Sequence, residues 1–444
     1  MEMEQLLLYQ LGKKDNSFIE KEQGNSFEKS LSDVWSRCLE MEDISVGERE
    51  RVTQIYSKCV GYLIELAIKH KWEGNIWQAY LTHILITSEN GFTKACERKG
   101  DIGGSLHLVA KHDLAIYKYL FSLDFSLIDN FLQTNIGHIV ENFSQKQVSC
   151  EEKTTLKTAI ETLVKKLASE NVDGMYTALT KFYQIYGVGE FGLHKAFRLE
   201  EGEHNKYKLQ PIDYTSTMQL SDLIGYEAQK KKLLDNTIDF IQGRKANNVL
   251  LFGDAGTGKS SCIKSMLNQF YEQGLRIIEV YKHQFKDLSR IISQIKHRNY
   301  KFIIYMDDLS FEEFEVEYKY LKAIIEGGLE ECPNNVLIYA TSNRRHLIKE
   351  SFNDTKDFDI ELHKSDTVEE KLSLVARFGV TIYFSAPDKK QFQTIVRELA
   401  KREEIVMDEE TLFLEANKWE LSHGGLSGRC AKQFVTYLKG QYSQ

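Results

Sequence analysis

Apolar residues recur at steps of three and four through much of residues 1–190. Leu156, Ile160, Leu163, Val164 and Leu167 fall on one helical face. Stretches 48–70 and 113–142 follow the same period, and each reads as helical. Gly and Asn rather than Pro break the pattern, at 73–75, 90–91 and 100–104. No repeat of fixed period runs through the chain. This half reads as a helical domain packed for its own sake, with no catalytic constellation.

The texture changes near Phe191. HKAFRLEEGEHNKYKLQPI contains two short alternating runs around a polar, Gly-containing turn, which predicts a hairpin, and 205–220 reads as a linker. Beyond Asn247, short apolar runs alternate with helical patterns: VLLF (249–252), IIEV (277–280), FIIYM (302–306), VLIYA (336–340) and VTIYF (380–384). Runs this short and this apolar suit strands buried on both faces. Between them, Ile263, Met266, Leu267 and Phe270 share one helical face, and Leu321, Ile324, Ile325 and Leu329 another. Such alternation implies a parallel sheet covered by helices. After Pro387 the pattern is helical to the end, with one face from Phe392, Ile395, Val396 and Leu399 and another from Phe434, Val435 and Leu438. The expected organisation is a helical domain over 1–190, a hairpin and linker over 191–218, an α/β core over 219–386 and a helical lid over 387–444.

Composition narrows the class. The chain has 444 residues, 42% hydrophobic and 27% charged, enough apolar content for a large core. Only Pro211, Pro333 and Pro387 interrupt it, which favours long helices. The net charge of -8 argues against a general nucleic-acid coat, and nothing else indicates a nucleic-acid partner. The seven cysteines are odd in number and form no C-x-x-C pair, so a disulfide framework is not expected and a reducing compartment is. MEMEQLLLYQLGKKDNS does not read as a signal peptide. No apolar stretch approaches the length of a membrane helix. A soluble, cytoplasmic protein is expected, with no membrane partner.

One motif carries chemistry. Gly253-Asp254-Ala255-Gly256-Thr257-Gly258-Lys259-Ser260 is G-x-x-x-x-G-K-[ST], the phosphate-binding P-loop. Its glycines let several N–H groups turn inward toward phosphate oxygens, and the following helix aims its positive end at the same place. Lys259 is expected to reach the β- and γ-phosphates of ATP, and Ser260 to ligate Mg²⁺. The run Phe302–Met306 then ends in Asp307-Asp308, 48 residues beyond Lys259. A carboxylate at the carboxyl end of a strand sits where ligands bind in open α/β sheets. Asp307 is the expected Mg²⁺-side acid of a Walker B motif.

With these residues in view, the segment 249–343 resembles the core of AAA+ ATPases. GDAGTGKSS, MDDLSFEE, EGGLEECPNNVLIYATSNRRHL and LSGRCAKQFV resemble more narrowly one bacterial AAA+ family catalogued as a domain of unknown function. The resemblance covers roughly 190–444. It implies an AAA+ P-loop sheet flanked by helices with a small C-terminal helical lid, and ATP binding that extends to Ser261. Asn343, closing ATSN, is similar to the sensor 1 residue. The segment Asp222-Leu223-Ile224-Gly225-Tyr226-Glu227 is similar to the part that lines the adenine pocket, which makes Ile224 and Gly225 nucleotide contacts. Arg429 resembles the sensor 2 arginine of the lid, and Arg377 the arginine finger presented to a neighbouring subunit; Arg344 and Arg345 are rivals for that role. AAA+ proteins at large usually carry Glu after the Walker B Asp. Here Asp308 stands there, one methylene shorter, with Glu312 and Glu313 as nearby alternatives for the water-activating group.

Other features have plainer readings. Lys230-Lys231-Lys232 reads as a solvated helix face. His283, His346, His363 and His423 lack metal-ligand spacing, so no metal beyond Mg²⁺ is expected. Cys262 reads as packing, and Tyr281 and Phe285 as core rather than pore-lining aromatics. The expected function is an ATPase that hydrolyses ATP with Mg²⁺ to drive conformational change or remodelling of a protein partner, acting as a homo-oligomer. The alternative is a slow or non-hydrolysing ATP-dependent switch that binds a protein or DNA partner.

Overall fold

A computed structural model describes residues 31, 34, 45–145, 155–201, 207–311, 317–326, 332–343 and 374–442. The chain divides into two units, Met1–Leu193 and His194–Gln444.

The first unit is helical. Its helices are α1 (Val46–His70), α2 (Ile76–Thr87), α3 (Gly91–Lys99), α4 (Ser105–Phe121), α5 (Phe125–Leu132), α6 (Gly137–Glu141), α7 (Thr155–Ser169), α8 (Val172–Tyr186) and α9 (Glu190–Leu193). The polar punctuation becomes capping. Asn75 accepts from the Gln78 N–H to start α2, and Asn90 and Thr93 form a reciprocal capping box on α3. The stretch 113–142, read as continuously helical, is broken twice. Asp124 caps α5 by accepting from Ser126 N–H, and Gln133 turns left-handed (φ 58°) to end it. Tyr56, Leu63, Trp77, Ile84, Ile128, Leu167 and Tyr183 lie in one buried core.

The second unit is built on a seven-stranded sheet. Its strands are β1 (Ala196–Glu201), β2 (Tyr207–Pro211), β3 (Val249–Gly253), β4 (Leu275–Glu279), β5 (Lys301–Met306), β6 (Val336–Ser342) and β7 (Val380–Phe384). Their order across the sheet is β2-β1-β4-β5-β6-β3-β7, and every pairing is parallel except the β1–β2 hairpin. All five predicted apolar runs are strands. The predicted hairpin is present too, but it extends the sheet: β1 pairs in parallel with β4, placing Phe197 beside Ile278. Its turn falls outside the described residues.

Helices α10 (Glu227–Ile241) and α11 (Lys259–Phe270) cover one face of the sheet. Leu233, Phe240, Cys262, Ile263 and Met266 pack there against Val249, Leu251, Ile277, Ile303, Tyr339 and Ile382. The alternate strand positions Leu250, Ile278, Phe302, Ile304 and Ile338 are buried as well, together with residues of α12 (Leu288–Ile295) and α13 (Glu317–Glu326). Burial on both faces is what the near-continuous apolar runs predict. The exception is β7, an edge strand whose Tyr383 is 53% exposed. Three further helices, α14 (Lys389–Arg402), α15 (Glu409–Ser422) and α16 (Gly428–Tyr442), form a separate small core from Phe392, Ile395, Val396, Leu412, Ala416, Phe434, Val435 and Leu438. A parallel P-loop sheet flanked by helices and followed by a helical lid is the AAA+ fold that the resemblance implies. No helix among the described residues is long and apolar enough to cross a membrane.

Candidate nucleotide site

The strand order brings the chemistry together. β3 carries the P-loop at its carboxyl end, β6 lies beside it, and β5 lies one strand further. The carboxyl ends of these parallel strands therefore share one edge, where α/β sheets bind ligands. That edge holds 253–260 from β3, Asn343 just past β6 and Asp307-Asp308 just past β5.

The loop owes its shape to glycine at positions where a side chain does not fit. Gly253 has φ 128°, and a Cβ there would lie 2.1 Å from the Phe384 carbonyl oxygen of β7. Gly258 has φ 95°, and its Cβ would strike Leu223 at 2.4 Å. The loop is also pinned from outside. Asp254 donates its N–H to Phe384 O at 2.9 Å, and its carboxylate accepts from Ala386 N–H at 2.6 Å. Helix α11 starts at Lys259 with no side-chain cap on its N-terminus. Its first-turn N–H groups and dipole can thus serve an anion.

Lys259 is buried, and its ammonium donates to Gly253 O (2.9 Å), Asp254 O (2.7 Å) and Asn343 Oδ1 (2.9 Å). Burial lowers its pKa, while Asp254, Asp308 and Asp307 nearby pull the other way. Asn343 in turn donates from Nδ2 to Asp308 Oδ1 at 2.8 Å. Lys259, Asn343 and Asp308 therefore form one chain of hydrogen bonds. Beside it, Ser260 Oγ donates to Asp307 Oδ1 at 2.7 Å, and Thr341 Oγ1 donates to the same oxygen at 2.6 Å. Burial acts to raise the Asp307 pKa. Hydrogen bonds from Thr341 and Ser260, with the Tyr305 hydroxyl and Lys264 close by, outweigh it and hold the carboxyl below the ordinary carboxylate range. A hydroxyl and an ionised carboxylate side by side are hard oxygen donors of the type Mg²⁺ takes. Asp307, Asp308 and Asn343 are all exposed and open to a ligand.

The lid reaches the same loop. Arg429 at the start of α16 donates its N–H to Gly256 O at 3.2 Å, and a Cβ on Gly256 would come within 3.2 Å of both Ser427 and Arg429. Arg429 is also close enough to Lys259 for its charge to depress the lysine pKa. Ile224 packs against the lid core, and Gly225 (φ 81°) follows it into the turn before α10. Arg402 of α14 donates to Ser221 O and Asp222 O, tying the lid to this segment. Ser261 lies half-buried in the first turn of α11.

Arg377 stands apart from this group, with Nη2 2.8 Å from Glu326 Oε1. Arg344, Arg345, Glu312, Glu313, His346 and His363 lie outside the described residues. The lysine run is not a uniformly solvated face. Lys230 is buried, paired with Glu227 at 2.6 Å and donating to Leu223 O at 2.8 Å, and Lys232 donates to Thr381 O; Lys231 alone is exposed without such a bond among those described. Phe285 is core, edge-on to Phe311, but Tyr281 is 45% exposed and is not core as expected. Cys262 is buried, and burial pushes its thiol up to about 12. Thr341 carried no role in the sequence reading. No local signal marks it, because its partners Asp307 and Asp308 lie beyond the neighbouring strand β5.

Solved structures with a similar fold include the Thermotoga maritima RuvB Holliday junction branch migration motor, 17% identical with a TM-score of 0.36; the likeness covers 51% of this chain and 65% of that one. The FIGL-1 AAA domain in complex with ADP is 16% identical with a TM-score of 0.36, covering 51% of this chain and 74% of that domain. The likeness thus spans less than two thirds of the RuvB motor. A search of curated proteins finds no match. The family profile described as "Protein of unknown function (DUF815)" matches residues 192–442, which take in the whole sheet, the P-loop and the lid. The chain belongs to that family.

Proposed function

We propose that this protein is an AAA+ ATPase that binds ATP with Mg²⁺ between core and lid and hydrolyses it to drive movement of the lid or of neighbouring subunits. The observation that carries the reading is the pair of hydrogen-bonded arrays at one sheet edge, Lys259–Asn343–Asp308 and Ser260–Asp307–Thr341. They join three separate strands, and each group has the chemistry that its step requires. Lys259 trades the Gly253 and Asp254 carbonyls for phosphate oxygens. The P-loop N–H groups and the start of α11 hold the β-phosphate. Ser260 and Asp307 are the residues to hold Mg²⁺, which when bound supplies positive charge to the β- and γ-phosphate oxygens. Asp308 orients the attacking water and takes its proton, with Asn343 fixing the carboxylate. Arg429 approaches the γ-phosphate from the lid, and Ile224 and Gly225 flank the base. Arg377, half-exposed and remote from the loop of its own subunit, acts on a neighbour's nucleotide in a homo-oligomer. The output is remodelling of a protein partner in the cytoplasm.

A second reading has its own support. Asp308, with a left-handed backbone (φ 50°), is a methylene shorter than Glu, so its carboxylate reaches less far from the main chain than a Glu carboxylate would. That favours a slow ATP-dependent switch binding a protein or DNA partner. ATP turnover per protomer, measured over a wide range of protein concentration with Lys259→Ala as control, separates the two. Specific activity that rises with concentration and vanishes in the control supports a site completed between subunits. Flat, very slow turnover supports the switch. Turnover that survives Lys259→Ala refutes the assignment of the P-loop as the site.

A further inference from the structure

Thr341 touches both acids at once. Its hydroxyl donates to Asp307 Oδ1 at 2.6 Å and accepts from the Asp308 N–H at 2.9 Å. Its carbonyl accepts from Leu309 N–H at 2.7 Å. One residue of β6 therefore holds three consecutive residues beyond β5. Thr341 itself is 2% exposed, so the hydroxyl is held in the sheet while the two acids it positions stay exposed. The middle residue, Asp308, has φ 50°, a backbone region that L side chains rarely adopt and that persists when the surroundings enforce it.

We infer that Thr341 is a positioning residue for nucleotide hydrolysis, setting the Asp307 carboxylate for the metal and the Asp308 carboxylate for water through a single hydroxyl. The inference rests on the nucleotide reading above and adds to it the device that sets the two acids relative to each other. The geometry leaves the hydroxyl no spare proton. Its one hydrogen goes to Asp307, so the lone pair facing Asp308 N–H acts only as acceptor. Asp307 Oδ1 takes a second donor from Ser260, which leaves its other oxygen and the remaining lone pairs for a cation. Valine at 341 keeps the volume and β-branching but removes donor and acceptor together. Serine keeps both and loses only the methyl.

The experiment compares the full-length wild type with Thr341→Val and Thr341→Ser. ATP affinity is measured without metal, turnover is measured against Mg²⁺ concentration at saturating ATP, and deuterium uptake is followed in the peptide containing Asp308 in the nucleotide-free protein. For Thr341→Val, metal-free ATP affinity stays within twofold of wild type. The Mg²⁺ concentration for half-maximal turnover rises at least fivefold, kcat falls at least tenfold, and exchange at Asp308 accelerates at least tenfold. Thr341→Ser stays within threefold of wild type in all of them. A Val variant with wild-type kcat and Mg²⁺ dependence overturns the inference. So does a Ser variant as impaired as the Val variant, since the methyl would then matter and not the hydroxyl. Loss of metal-free ATP binding in the Val variant would overturn it too, as general damage to the P-loop edge. Failure of the nucleotide reading itself shows separately, in a wild type that binds no ATP, and would take this role with it.

Discussion

The ammonium of Lys259 donates to Asn343 Oδ1 at 2.9 Å, so the P-loop lysine of β3–α11 is tied to the residue that closes β6. This ties the lysine proposed to bind phosphate to the residue holding Asp308 in the ligand-free protein. Burial disfavours the lysine charge, which offsets part of what its three hydrogen bonds contribute in the ligand-free protein. Lys259→Ala should therefore change the thermal midpoint of the ligand-free protein by only a few degrees. ATP–Mg²⁺ at one hundred times its Kd stabilises a protein by about 2.7 kcal/mol, and the variant should lose nearly all of that. Thermal unfolding with and without ATP–Mg²⁺ measures both. An equal ligand-induced shift in the two proteins would remove Lys259 from the site.

Gly256 meets the lid. Alanine there must adopt φ 73°, at a cost of about 1–2 kcal/mol, with its Cβ 3.1 Å from Ser427 and 3.2 Å from Arg429. Gly274, at φ 91° with nothing within 4 Å, is the matching control away from the loop. Gly274→Ala should lower the midpoint by about 2–8 °C, and Gly256→Ala by at least as much because it also crowds the lid. Only Gly256→Ala should weaken ATP binding, by tenfold or more, because it pushes α16 from the loop. Equal ATP affinity in both variants would argue that the lid does not close on this side of the loop.

Strand identity was legible because all the runs but the edge strand β7 are buried on both faces, and β3 and β6 especially leave no polar alternation to mislead. The site motif was legible because a P-loop is local. Relations set by distant parts of the chain were not. The β1–β4 pairing depends on backbone registry that composition does not encode. Lys230 looks like its exposed neighbour Lys231, yet it is buried because Leu223 O and Glu227 meet its ammonium. Thr341 is an ordinary strand residue until β5 is laid beside β6. The break at Ser122–Asp124 was hidden because apolar spacing continues across it. Asp124 ends the helical path by capping the next helix.

Cys262 sits three residues after the P-loop lysine, and burial pushes its thiol up to about 12 from an ordinary 9.0. The reactive thiolate is then a very small fraction at pH 7.5, below about one in 10⁴, and the sulfur is also shielded. Cys332 is exposed. Iodoacetamide should label Cys332 in the native protein while Cys262 stays unmodified, and both should react once the chain is unfolded. The protection should persist as pH rises toward 9, since the folded thiol titrates well above that. Peptide mapping by mass spectrometry reads this. Native labelling of Cys262 as fast as Cys332 would contradict the packing around α11.

Asp308 offers the cleanest separation of binding from chemistry. Asn is among the residues best suited to φ near 50°, so Asp308→Asn keeps the backbone without added strain. The Asn343 amide still finds a side-chain oxygen to donate to, and the Thr341 bond to the 308 N–H is unaffected. Stability should therefore stay within about 1 kcal/mol of wild type, and ATP affinity within about threefold. What disappears is a carboxylate able to accept a proton from water. Turnover should fall by about 10²-fold or more, in line with removal of a positioned general base. If instead turnover is unchanged while Lys259→Ala abolishes it, Asp308 is not the base. The slow-switch reading would then need another explanation for its rate, because the short, left-handed acid would no longer limit it.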